Sequence, residues 1–182
     1  MAALNGKKVA FLLTNGFEDS ELTSPWEAVT QAGATATLVS PETGTLTGKK
    51  GHEASVDQQA ADADAGEFDA LMLPGGVVNG DKLRMDEDAV AFTKAFFEAG
   101  KPVGVICHGG WILTDADVLR GRTLTSYPSL KTDLRNAGAE WVDEEVVVDQ
   151  GLVSSRTPDD LPAFNAKLVE EIGEGRHERQ TA

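Results

Sequence analysis

The chain has 182 residues, enough to bury one good core and short for two, so a single domain is expected over residues 1–182. Thirty acidic residues against 16 Lys plus Arg give a net charge of -14 with the basic residues scattered singly, which argues against nucleic acid as a partner, because phosphate binding needs a clustered positive face. The absence of a long apolar run and of a secretory-type start makes a cytoplasmic location and no membrane partner the expectation, and the single cysteine excludes an internal disulfide or a Cys-rich zinc site.

In chain order, KKVAFLLT at 7–14 is an apolar run without alternation, the pattern of a strand buried on both faces. Leu22, Trp26 and Val29 then mark a helix ending at Gly33, and Thr35 to Ser40 a second strand. GKKGHEASVD around His52 reads as a turn region. ALMLP at 70–74 is another buried strand, and Ala89, Phe92, Phe96 and Ala99 predict a helix stopping at Gly100. Val103 to Cys107 repeats the strand pattern. Beyond it come a helix, a short strand near 123–126, a helix over 130–136 and a hairpin turning at Gln150 and Gly151. The last helix has Thr157 as its expected N-cap and Leu161, Phe164, Leu168 and Ile172 as its buried stripe, and residues 174–182 read as a frayed tail. Strand alternating with helix implies a mostly parallel sheet wrapped by helices, an α/β fold.

The stretch VGVICHGGWIL, 103–113, carries the only cysteine. Reacting groups in an open parallel sheet gather at the carboxyl ends of its strands, and Cys107 ends a strand while Gly109 and Gly110 open a helix. That is the layout of a nucleophile elbow, and the helix N-terminus behind it favours thiolate. TNGFEDSEL brings Glu18 or Asp19 to the same edge, and ALMLP ends in Gly75 and Gly76, whose amides are placed to face the thiol. Plain packing of Cys107, and an N-terminal capping role for Glu18, are the competing readings.

The ordered set KKVAFLL, FEDSEL, LPGG, DKLR, GKPVGVICHG, AGAEWVDEEVVVD and VSSRTPDDLPAF resembles the ThiJ/PfpI superfamily, and within it the PfpI-type intracellular proteases and general stress proteins. The resemblance implies a flavodoxin-like α/β/α sandwich, as in class I glutamine amidotransferase domains. It implies Cys107 as nucleophile, Glu18 beside the sulfur and His108 as base. An acidic residue supplied by a neighbouring subunit matches Asp81, and the Gly75, Gly76 and His108 amides would form the oxyanion pocket. A Glu18 carboxyl sharing a proton with the sulfur is expected to lower the thiol's apparent pKa. Trp111 is expected over the elbow as pocket wall or core, with Tyr127 near the mouth. The chain departs from the family at Gly110 and Gly80, where prolines are usual, and both changes are expected to loosen loops lining the site.

Two functions follow. The first is a stress-response enzyme whose Cys107 attacks small reactive aldehydes such as methylglyoxal, or peptide and amide bonds. The second is a non-catalytic sensor working by oxidation of Cys107. An amidotransferase-like domain fits poorly, since its distant histidine has only His177 as a candidate. The expected assembly is a homodimer, with a hexamer next. Neither organic cofactor nor metal is expected, because strand one leads into TNGFED rather than a glycine-rich phosphate loop and the three histidines are dispersed.

Overall fold

Four apolar runs become the interior of a seven-stranded sheet in the computed structural model, which describes residues 3–178. The strands are β1 (Lys8–Leu12), β2 (Thr35–Ser40), β3 (Thr45–Thr47), β4 (Glu53–Ser55), β5 (Gln58–Gln59) and β6 (Ala70–Leu73). They continue with β7 (Val103–Ile106), β8 (Thr123–Leu124), β9 (Glu140–Trp141), β10 (Val147–Asp149) and β11 (Leu152–Ser155). The helices are α1 (Asp19–Gln31), α2 (Val77–Leu83), α3 (Glu87–Glu98), α4 (Trp111–Asp115), α5 (Lys131–Asn136) and α6 (Leu161–Glu174).

The sheet order is β10-β11-β7-β6-β1-β2-β5, and every neighbouring pair is parallel except β10 with β11. Successive side chains of a strand point to opposite faces, so each inner strand feeds two cores. Val9, Phe11, Met72 and Ile106 pack with Leu22 and Val29 of α1 and Phe164 and Leu168 of α6. Ala10, Leu12, Leu71 and Val105 pack with Phe92 and Phe96 of α3, Leu113 of α4 and Leu134 of α5. This is the sheet wrapped by helices expected from the alternating pattern, and the flavodoxin-like α/β/α sandwich that the resemblance implies.

Several local expectations need adjustment. The hairpin turns at Gln150 and Gly151 with φ of 52° and 88°, the doubly positive geometry that matches the twist of a two-residue hairpin. The turn region around His52 is itself a hairpin, β3 with β4, and β8 leaves the main sheet to pair with β9. Thr157 makes no side-chain cap; a single turn at 158–160 intervenes, and the Asp160 carboxylate accepts the Arg156 N–H at 3.0 Å instead. Of the stretch read as a tail, residue 174 closes α6 and the His177 N–H donates to the Gly100 carbonyl at 2.8 Å; residues 179–182 lie outside the described residues. No helix among the described residues is long and apolar enough to cross a membrane.

Candidate active site

Because β1, β6 and β7 run parallel, their carboxyl ends bring Thr14, the Gly75–Gly76 turn and Cys107 together. Asn79, wholly buried, locks that junction: its Oδ1 accepts the Thr14 N–H at 2.7 Å and its amide donates to the carbonyls of Pro74 (3.0 Å) and Gly75 (3.1 Å). Cys107 adopts φ of 60°, a left-handed conformation costing a non-glycine residue on the order of 1–2 kcal/mol. Gly109 is required next to it, since a Cβ there would lie 2.6 Å from the Leu73 carbonyl. Backbone strain and close approach thus hold the thiol at the strand end, 8% exposed.

The thiol is not poised as a thiolate, contrary to the expectation from the helix N-terminus. Burial, then the charge of Glu21, push Cys107 up to about 12, although the Gly76 and His108 amides, hydrogen-bonded to the sulfur, pull the other way. The helix behind the elbow, α4, is only five residues long and starts beyond a tight turn at 107–110, so its dipole offers little.

Glu21, rather than Glu18, is the carboxyl within hydrogen-bonding reach of the thiol. It sits in the first turn of α1, fully buried, and its Oε1 accepts the Gly75 N–H at 3.0 Å. Its Oε2 is buried without a hydrogen bond of good geometry. Burial first, and the neighbouring Glu18 charge second, raise its pKa to about 8, so the carboxyl is mostly protonated at neutral pH. Glu18 occupies the N-cap position of α1 with no capping bond from its side chain. Its N–H donates to the Gly75 carbonyl, and its carboxylate pairs with Lys50 at 3.4 Å and Lys49 at 3.7 Å. These lysines arrive on the β3–β4 hairpin, which is tied to α1 because Asp19 accepts the N–H groups of Lys50 and His52. One signal for Glu21 was readable: positions 21, 25 and 29 form a helical row, and a carboxyl on a row with Pro25 and Val29 faces the core.

His108 reaches the sulfur within one chain, its Nδ1 lying 3.2 Å from Cys107 Sγ, while Nε2 lies 3.2 Å from Ser129 Oγ. With Ser129 accepting from Nε2–H, Nδ1 faces the sulfur as an acceptor. Tyr127 stacks on the imidazole at 4.7 Å and Trp111 meets it edge-on at 5.3 Å, its indole N–H donating to Asp133 at 2.9 Å. Burial, then Lys49, hold His108 below its ordinary value, so the ring is neutral at pH 7. Ser129 was not foreseen; nothing in PSLKTDL distinguishes it from a surface serine.

Gly76 and His108 direct their amides at the sulfur, whereas the Gly75 amide is already engaged by Glu21. Asp81 lies on the exposed side of α2. The two glycines in proline positions differ. Gly80 is buried within α2, donates its N–H to the Gly76 carbonyl at 2.9 Å, and leaves no room for a Cβ, which would stand 2.6 Å from the His108 carbonyl. A Cβ on Gly110 would meet only ordinary contacts from 3.8 Å outward. Gly80 therefore tightens the packing of α2 on the elbow rather than loosening a loop. Among the described residues, no group of three metal-ligating side chains forms around Cys107.

Comparison with known proteins places this geometry in context. Residues 7–171 match the model of the DJ-1/PfpI family. The chain is 50% identical over 171 residues to protein/nucleic acid deglycase 2 of Escherichia coli (strain K12), covering 92% of this chain and 98% of that one. It is 51% identical over 167 residues to general stress protein 18 of Bacillus subtilis (strain 168), covering 90% and 96%. Among solved structures, a two-domain protein from Anabaena variabilis with DJ-1/ThiJ/PfpI-like and ferritin-like domains aligns with a TM-score of 0.89 at 36% identity, over 92% of this chain and 48% of that longer one. A ThiJ/PfpI domain protein from Brachyspira murdochii aligns with a TM-score of 0.88 at 26% identity, over 93% and 99%.

Proposed function

Because the chain belongs to the DJ-1/PfpI family, we propose that it is a cysteine-dependent enzyme acting on small α-oxoaldehydes and their adducts, as a glyoxalase or deglycase does. The observation that carries this reading is the buried Glu21 carboxyl, raised to about 8 beside the thiol. Converting an α-oxoaldehyde to a hydroxy acid requires a proton to move between adjacent carbons. A group that both gives and takes a proton near neutral pH is suited to that work.

In the proposed sequence the sulfur bonds to the aldehyde carbon as the thiol proton passes to His108 Nδ1 and the Glu21 proton passes to the carbonyl oxygen. Glu21, now a carboxylate, takes the hydrogen from the former aldehyde carbon and returns it to the neighbouring carbon, while His108 relays protons between the two oxygens. The product is a thioester of Cys107. Water then cleaves the C–S bond, releasing the hydroxy acid and restoring the thiol, with the His108 and Glu21 protons back in place. The amides of Gly76 and His108, which bond the sulfur in the free protein, are the donors for the substrate oxygen as charge builds on it. Assembly as a homodimer or hexamer belongs to the same proposal: α2 exposes Val77 (52%) and Val78 (50%) together with Asp81, a face for a second copy.

The test is methylglyoxal consumption with lactate formation by wild type, Cys107→Ala and His108→Ala. Turnover lost in Cys107→Ala and reduced in His108→Ala supports the reading. Undiminished turnover in Cys107→Ala overturns it, as does a wild type that cleaves peptides, or that only oxidises at Cys107, without consuming the aldehyde.

A further inference from the structure

Three potential metal ligands converge at the end of α6, remote from the thiol. Glu171 and Glu174, one turn apart, share a face of the helix. Gly175, with φ of 86°, reverses the chain and lays His177 back against them. The donor atoms of the three side chains all lie within 4.8 Å of one another. Their setting is unusual for a purely structural cluster. Carboxylates at a helix C-terminus oppose the helix dipole, and here two of them sit there in a chain of net charge -14.

The contact between Glu171 and His177 is more telling. Glu171 is 6% exposed, and its Oε2 lies 2.9 Å from His177 Nε2. Neither atom makes a hydrogen bond of acceptable geometry, with the other or with any described group. The two atoms are close together, yet their geometry is not that of a hydrogen bond between them. Neighbouring ligands on an ion with bonds of about 2.0–2.1 Å stand roughly 3 Å apart. Glu174 Oε2, on an exposed residue, lies 3.9 Å from the same nitrogen.

We propose that Glu171, Glu174 and His177 form a binding site for one divalent transition-metal ion of the zinc or cobalt type. One imidazole with two carboxylates selects such ions over calcium or magnesium, which prefer all-oxygen sites. Three protein ligands leave room for water to complete the shell. The two acidic charges balance the ion. The role is a staple: the His177 N–H already bonds the Gly100 carbonyl, just ahead of β7, so an ion here ties the C-terminal segment to the α3–β7 junction. Cys107 lies beyond the opposite end of β7, about 13 Å along the strand from Val103.

The experiment uses the full chain carrying Cys107→Ser, so that the thiol does not bind the ion. Zinc is titrated calorimetrically, cobalt by its visible absorption, and thermal unfolding is followed with and without zinc. The expected results are one equivalent bound, a higher Tm with zinc, and a loss of affinity of at least about 100-fold in both His177→Ala and Glu174→Gln. These two positions are not core residues, so their variants are expected to keep the fold, which circular dichroism checks. No stoichiometric binding, or binding equally tight in both variants, overturns the proposal and leaves a plain contact between His177 and Glu171.

Discussion

Glu21 and Asp160 are both carboxyls at the start of a helix, 0% and 4% exposed, near the carboxyl ends of sheet strands. They titrate in opposite directions. Burial pushes both upward, but Asp160 receives the Arg156 side chain at 2.9 and 3.0 Å and the Arg156 N–H at 3.0 Å, and these hold it below the usual carboxylate range. Glu21 has only the Gly75 N–H, the Lys49 charge and the Cys107 thiol to set against burial and the Glu18 charge, and rises to about 8. The partner, not the depth, decides. Ser155 pairs with Ile106, so the carboxyl held by an arginine and the one without such a partner flank adjacent strand ends.

The comparison is broken most severely by Glu21→Gln, which is isosteric but cannot exchange a proton. Aldehyde turnover should fall by about 10²–10⁴-fold. In the wild type, the rate should rise as His108 loses its proton below the ordinary histidine value and fall again near pH 8 as Glu21 ionises; the alkaline limb should vanish from whatever activity the variant retains. Stability should carry the same titration. A carboxyl raised in the folded state stabilises most below its unfolded pKa, about 4.3, and that contribution is lost as pH rises through about 8. Urea unfolding of Glu21→Gln should therefore be flatter with pH, and the variant more stable than wild type above pH 8 by up to about 4 kcal/mol.

Asp160→Asn removes the paired member and should cost about 2–3 kcal/mol at pH 7, measured by urea unfolding. A depressed carboxyl contributes above its unfolded value, about 3.9, and loses that contribution as pH falls through its lower folded one, so the variant should show a weaker decline in acid.

Gly80→Ala should destabilise by about 1–3 kcal/mol and lower turnover, because its methyl group meets the His108 carbonyl backbone. Gly110→Ala, with φ of -70° and open space, should be neutral or stabilising by up to about 1 kcal/mol, thermal melts of the two variants side by side being the check.

Glu18→Gln has the smallest expected effect, under about 1 kcal/mol, since Lys49 and Lys50 are 66% and 71% exposed. Its signature is a small shift of the alkaline limb to lower pH, because the Glu18 charge helps to raise Glu21.

Much of this was legible before any fold was known. Apolar runs without alternation marked β1, β6 and β7 as doubly covered strands, since only residues buried on both faces dispense with a polar period. Glycine and proline placements marked the helix ends and the Gln150–Gly151 turn, since these conformations are set by sterics between adjacent residues. A cysteine between a strand and a glycine pair marked the elbow for the same local reason.

What the sequence left open depends on contacts between residues far apart in the chain. FEDSEL offers three acids at one strand end, and only the roll of α1 against β6 and β7 turns Glu21 inward and leaves Glu18 to Lys49 and Lys50. The direction of the Cys107 shift depends on burial and on that carboxyl, neither of which is a property of VICHGG. Gly80 reads as a loosened loop until α2 is seen packed on the His108 carbonyl. His177, one of three dispersed histidines, gains its acidic neighbours only because Gly175 turns the chain back on α6. Local sterics are written in neighbouring residues, whereas pKa shifts, proton partners and ligand clusters arise from distances that exist only after the sheet and its two helical layers have closed.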